Sequence, residues 1–216
     1  MNKAERFWDN IAETFDKKEK RFEKISSETI ELIKRFLEPG NIVLDYGCAM
    51  GTKTLILAGH VKMIQGIDIS SKMIEGAKRK ATEQKAGNVD FVHTTLFDKK
   101  LKKGSFDVVL ALNIMHTIKE RRQTVVRIDE LLKPDGLFIS LTPCLKEKMA
   151  FMNYIQFSVY FLLIRFGLQP DIFTRFKIPD LENLVKSENF QIVETAKLYH
   201  KGTSYLIVAK KIEPQV

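Results

Sequence analysis

Cysteine is scarce in this chain: its 216 residues include only Cys48 and Cys144. Two distant thiols make no C-x-x-C pair, no four-ligand zinc spacing and no disulfide framework, so no metal site is expected. No apolar run reaches the roughly 18 residues that a membrane span requires. The start, Met1-Asn2-Lys3-Ala4-Glu5-Arg6, lacks an apolar secretion core, so a cytoplasmic location is expected. Tracts rich in proline, glycine or serine are missing and 29% of residues are charged, which argues against long disordered segments. The G-x-G-x-x-G fingerprint and the Walker pattern are both absent, which excludes the usual cradles for pyrophosphate.

Apolar residues make up 44% of the chain, enough for one sizeable core, and the whole of 1–216 reads as a single domain without internal repeats. Net charge is +8 with a pI near 9.3, which admits an anionic partner: RNA, a lipid surface or an acidic small substrate. The lysines are scattered rather than massed, as on solvated helix faces.

Residues 4–37 read as helical, with Phe7, Trp8, Ile11, Ala12 and Phe15 forming an apolar stripe, a charged stretch over 17–21, and a second helix from Thr29 stopped by Pro39-Gly40. The stripe is either plain docking surface or an aromatic cover over a ligand loop. Short β-branched runs then alternate with helical patterns. Strands are expected at 42–44, 62–67, 88–93, 106–112 and 137–141, with helices from Thr52, from the Ser70-Ser71 cap, and over 119–133. Five β/α alternations with short links predict a doubly wound parallel sheet, with ligands at the carboxyl ends of its strands. The tail departs from this: a short helix over 181–186 precedes strands at 191–199 and 204–210, an antiparallel hairpin turned at Lys201-Gly202.

The stretch that organises the rest is Asn41 to Thr54, N-I-V-L-D-Y-G-C-A-M-G-T-K-T. It reads strand, glycine loop, helix. Asp45 precedes Gly47, and Gly51 lies four residues further on; an acid there repels a pyrophosphate and attracts a cationic ligand. Four segments in register then carry a resemblance: V-L-D-Y-G-C-A-M-G at 43–51, G-I-D-I-S at 66–70, S-F-D-V-V at 105–109 and L-L-K-P-D-G at 131–136. Together with the final hairpin they resemble the class I S-adenosylmethionine-dependent methyltransferases.

The resemblance implies a Rossmann-like α/β fold with a mostly parallel seven-stranded sheet and a C-terminal antiparallel hairpin. It divides the chain into a helical cover (1–38), a cofactor-binding core (41–142), a substrate lid (145–178) and a closing helix and hairpin (179–216). It implies S-adenosylmethionine as cofactor, with Asp45, Gly47, Cys48 and Gly51 in the loop holding the methionine moiety. Asp68 would accept hydrogen bonds from both ribose hydroxyls, and Ile69 would pack on the adenine. Thr95 and Leu96 stand where the family reads the adenine edge, with Asp98 nearby as a substitute acid. Asn113 would line the sulfonium with its carbonyl. Ala49 replaces the family's middle glycine, and is expected to be tolerated only at negative φ.

Methyl transfer from a sulfonium is an in-line displacement, so the protein aligns the reactants and excludes water, adding a general base only for a poor nucleophile. His116, just past the fourth strand, is the candidate base, or else a packed histidine. Cys144 has the position of a nucleophile used in cytosine-C5 methylation. The partner Pro-Cys is absent after the fourth strand, as is an N-P-P-Y-type motif, so a buried thiol is expected. The segment 149–164, M-A-F-M-N-Y-I-Q-F-S-V-Y-F-L-L-I, is too short and too interrupted by polar groups to span a bilayer. It reads as a core helix or as a greasy lid over 149–166 able to touch a membrane, with Lys146, Lys148, Arg165, Arg175 and Lys177 flanking it. The expected function is methylation of a small apolar or amphiphilic acceptor: a quinol, phenol or lipid-like metabolite. RNA methylation, or cofactor binding without catalysis, are the alternatives.

Overall fold

A computed structural model describes residues 3–19, 23–148, 150–166, 173–199 and 202–213. Two helices, α1 (Lys3–Glu19) and α2 (Glu23–Lys34), precede the alternating core. The core runs β1 (Ile42–Tyr46), α3 (Thr52–Ala58), β2 (Met63–Asp68), α4 (Ser71–Glu83), β3 (Val89–His93), β4 (Phe106–Leu112), α5 (Arg121–Leu131) and β5 (Leu132–Pro143). Then come α6 (Phe151–Arg165), α7 (Ile178–Lys186), β6 (Phe190–Tyr199) and β7 (Thr203–Lys211). Residues 20 and 21 of the charged stretch, Met149 and the turn residue Lys201 lie outside the described residues.

The seven strands form one sheet in the order β3-β2-β1-β4-β5-β7-β6. The first five are parallel, and β7 enters antiparallel between β5 and β6. This is the expected doubly wound sheet with its terminal hairpin. β4 sits in the middle and is apolar almost throughout, because helices cover both faces of a parallel sheet. The β5 strand is longer than the expected 137–141. It begins at Leu132 and takes Pro134-Asp135-Gly136 into an irregular start, where its register against β4 shifts between Phe106 and Val108.

Two of the family-like segments are joined here for a structural reason. The Asp107 carboxylate accepts the Ile42 amide at 2.8 Å and the Lys133 ammonium at 2.7 Å, tying the starts of β1, β4 and β5 together. Burial pushes the Asp107 carboxyl up, but the Ile42 amide and Lys133 outweigh it and hold the group below the usual carboxylate range. Arg127 on α5 likewise donates to the carbonyls of Leu96, Asp98 and Leu101, anchoring the loop between β3 and β4. No described helix is long and apolar enough to cross a membrane.

Candidate functional site

Strand order reverses direction between β1 and β4, so the chain leaves their carboxyl ends to opposite sides and opens a crevice there. The β1–α3 loop forms its floor. Gly47 (φ 75°) and Gly51 (φ 71°) both take the left-handed conformation, the one for which a missing Cβ matters. A Cβ on Gly47 would stand 2.2 Å from Ile114 Cδ1, so the loop and the segment after β4 close on each other.

Asp68 ends β2 beside this loop. Its Oδ2 accepts the Ala49 amide at 3.0 Å and its Oδ1 accepts the Ser70 amide at 2.9 Å. Burial pushes its carboxyl above the usual range, against the pull of the Ser70 and Ala49 amides. Each oxygen keeps a lone pair, so the carboxylate can still accept two hydroxyls. The Gly47 and Cys48 amides are spent on the Ile67 carbonyl, which fixes the loop against β2.

Ala49 has φ 49°. The expectation that a methyl is tolerated there only at negative φ is therefore corrected. The left-handed conformation is imposed because the Ala49 amide must turn toward Asp68, and the methyl bears a steric cost on the order of 1 kcal/mol. Ala49→Gly is predicted to raise stability by roughly 0.5 kcal/mol, since relief of strain outweighs the added freedom of the unfolded chain. Urea denaturation checks this; a loss near 1 kcal/mol, as for an ordinary Ala→Gly change, contradicts it.

The other sequence-derived residues are placed unevenly. Asp45 is 3% exposed and accepts the Thr54 hydroxyl at 2.6 Å, so it grips α3 from inside the fold. Cys48 is buried, and burial, with Asp45 and Asp68 adding, pushes its thiol well up. Ile69 is half-buried, and its carbonyl lies 2.9 Å from His93 Nε2. Thr95 is exposed just past the end of β3, whereas the Leu96 side chain is wholly inside the core. Asp98 accepts the Thr94 hydroxyl and the Lys100 amide, which hold its carboxyl low. Asn113 (φ 61°) is exposed, and its amide donates to the Leu141 carbonyl at 2.8 Å. Cys144 is buried, its thiol pushed up to about 12 by burial and the nearby Glu147 and Asp180, as suits an inert thiol.

His116 sits in a one-turn 3-10 helix, Met115–Thr117. Its ring stacks on Phe173 at 5.4 Å and 8°, Phe173 meets Tyr160 of α6 at 5.6 Å, and the His116 carbonyl accepts the Thr174 amide. Nδ1 is buried without a partner among the described residues, and burial lowers the imidazole to about 4. Unfolded, the ring titrates near 6.5. Above that value both states are neutral and the group contributes nothing. Between about 6.5 and 4 only the unfolded state takes the proton, so stability falls with falling pH, by about 3 kcal/mol at the lower end. His116→Gln is predicted to flatten this part of the stability–pH curve; an unchanged slope rules the assignment out.

Sequence reading missed three contributors. Asp9 of α1 is buried and accepts the Ser70 hydroxyl at 2.6 Å and the Lys72 amide at 3.3 Å, locking α1 to the start of α4. Tyr46 is half-buried at the end of β1, its hydroxyl pushed up by burial, with Asp68 and Glu120 adding. Phe173 joins Tyr160 of α6 to His116. Of these only Asp9 left a local signal, a carboxylate at the edge of the apolar stripe of α1, one turn before Ala12. That stripe packs Trp8, Ile11, Ala12 and Phe15 against Ala49 and Met50 of the loop and Met73 of α4.

Comparison with known proteins agrees with this geometry. A family model described as a methyltransferase domain matches residues 37–199. Phosphoethanolamine N-methyltransferase 2 of Caenorhabditis elegans is 29% identical over 142 residues, covering 62% of this chain and 32% of that protein. Demethylmenaquinone methyltransferase of Symbiobacterium thermophilum is 28% identical over 162 residues, covering 71% of this chain and 62% of that protein. This chain thus spans less than two thirds of either relative's length. Among solved structures, the YcgJ protein of Bacillus subtilis superposes with a TM-score of 0.70 at 16% identity, over 87% of this chain and 100% of that one, which speaks to the fold alone.

Proposed function

The chain belongs to the class I S-adenosylmethionine-dependent methyltransferase family, and we propose that it methylates a small apolar or amphiphilic acceptor such as a quinol, phenol or lipid-like metabolite. The observation that supports this reading is that two constructions are joined through the segment after β4, whose Ile114 closes on Gly47 two residues before His116. One is the Gly47–Gly51 loop with its fixed Asp68; the other is the aromatic chain from His116 through Phe173 to Tyr160.

The residues fit the cofactor. Two left-handed glycines give the loop its tight turns, and Asp68 is a half-buried carboxylate held at both oxygens by backbone amides. In this reading Asp68 binds the ribose hydroxyls, the loop receives the methionine moiety, and Ile69 and Thr95 border the adenine. S-adenosylmethionine supplies an activated methyl on a sulfonium. The protein's share is alignment and removal of water, which the α1 cover and the aromatic residues of α6 perform on either side. His116, neutral at physiological pH, takes the proton of an acceptor hydroxyl or aligns that hydroxyl by a hydrogen bond.

The test couples calorimetry with S-adenosylhomocysteine to methyl-transfer assays against quinols, phenols and long-chain alcohols. Transfer to at least one of these is expected, and His116→Gln should lower kcat more than it changes KM. Steeply salt-dependent methylation of RNA, or no single-turnover transfer to any acceptor despite cofactor binding, would replace this reading with one of its alternatives.

A further inference from the structure

The α6 helix is apolar on two opposite faces. Asn153, Phe157, Tyr160, Phe161, Leu163 and Ile164 are the less exposed positions, at helical spacing, and form the face turned to the protein. The opposite face carries Met152, Ile155, Val159 and Leu162 and ends at Phe166, all exposed, with Met152 at 71% and Phe166 at 68%. A helix with no buried residue and an uncovered apolar stripe on its far side requires an occupant for that stripe.

Charge decides which occupant. From Ala150 to Phe166 the only charged residue is Arg165, and the approaches to the helix bring Lys146, Lys148, Arg175 and Lys177, all exposed. Arg175 is held at the helix, its guanidinium 4.4 Å from the Phe161 ring centre. Among the described residues of these approaches, the acids are turned to backbone amides: Glu147 accepts from Ile178 and Asp180 from Lys177. A second copy of the chain would bring this cationic rim against itself in a two-fold pairing. An anionic lipid surface matches both the stripe and the rim. The helix spans only about 22 Å, so it lies on a bilayer rather than crossing it.

We propose that α6 is a peripheral docking helix that seats the protein on anionic membranes through Met152, Ile155, Val159, Leu162 and Phe166. On its inner face Tyr160 meets Phe173, which stacks on His116, so one helix lies between the bilayer and the His116 side of the proposed site. The proposal does not depend on which acceptor is methylated.

The full chain is sedimented with sucrose-loaded vesicles of phosphatidylcholine alone and with about one third phosphatidylglycerol. Binding to the anionic vesicles should exceed that to neutral ones by about tenfold or more, and Val159→Glu with Leu162→Glu should lower it by about tenfold or more. Lys146→Ser with Lys148→Ser should weaken anionic binding alone. Unchanged S-adenosylhomocysteine affinity and unfolding midpoint certify the fold of each variant. If the glutamate pair does not fold, Met152→Ser with Phe166→Ser takes its place. Sedimentation with neither vesicle, full binding by the stripe variants, or a dimer in solution that the stripe variants dissociate would each overturn the proposal.

Discussion

Asp68→Ala is expected to weaken S-adenosylhomocysteine binding by at least about 100-fold, because it removes two charge-assisted hydrogen bonds of about 1.5 kcal/mol or more each. The carboxylate is unusually well prepared for that task. The Ala49 and Ser70 amides fix its plane before any ligand arrives, so little ordering remains to be done on binding. Because burial raises its pKa, affinity should also fall as the pH is lowered toward the carboxyl's raised value, since a protonated carboxyl is a poorer acceptor of two hydroxyls. The substitution leaves the two amides without their acceptor, so a loss of fold stability of about 1–2 kcal/mol should accompany it. Calorimetry on protein shown to be folded by circular dichroism separates the effects. Wild-type affinity in the variant would remove Asp68 from the cofactor site.

The second large effect is structural. Gly51→Val should destabilise the protein by about 3 kcal/mol or more, adding a left-handed strain of about 1–2 kcal/mol to an overpacking cost of about 1–3 kcal/mol. A Cβ at this position would lie 2.4 Å from Phe91 Cζ, 2.8 Å from Cε1 and 3.1 Å from the Ala77 methyl. The ring cannot withdraw, because a Cβ on Gly66 would meet the same ring at 2.6 Å and Phe91 is buried between them. Two glycines thus hold one phenylalanine between the loop, α4 and β2. Urea unfolding of Gly51→Val, and of Gly51→Ala with Phe91→Leu, reads the two costs apart. The double change should recover the packing share and keep the strain. A Gly51→Val protein within 1 kcal/mol of wild type would contradict this account of the loop.

Both predictions arise from residues whose importance was visible in the chain itself. Asp68 ends a short β-branched run and is followed by a serine cap, and Ser70 does cap α4 through the Met73 amide. Gly47 and Gly51 sit between a strand and a helix, where a positive φ is common. Ala49 shows where such reading stops. The family resemblance marked it as a departure from a glycine pattern, yet its φ was set by Asp68, which lies in the next strand. Asp107 is a further instance: it belongs to a family-like segment near the cofactor core, but its work is to join strand starts through Ile42 and Lys133.

The architecture and the cofactor class were determined by the sequence alone, because both rest on contiguous patterns. A strand, a turn needing left-handed residues and a helix start are each encoded within a few neighbouring positions, and their alternation dictates a parallel sheet with its ligands at one end. What only the tertiary structure decided is how distant pieces complete the site. Asp9 reaches Ser70 across 61 positions of sequence, and Phe173 stacks on His116. Helix α6 presents one apolar face to the protein and leaves the other uncovered. Hydrophobic periodicity gives the angle of a side chain around its own helix, but not what lies opposite. That is set by packing between elements far apart in the chain, and it decides where a buried carboxylate, an aromatic stack or an exposed stripe is put to use.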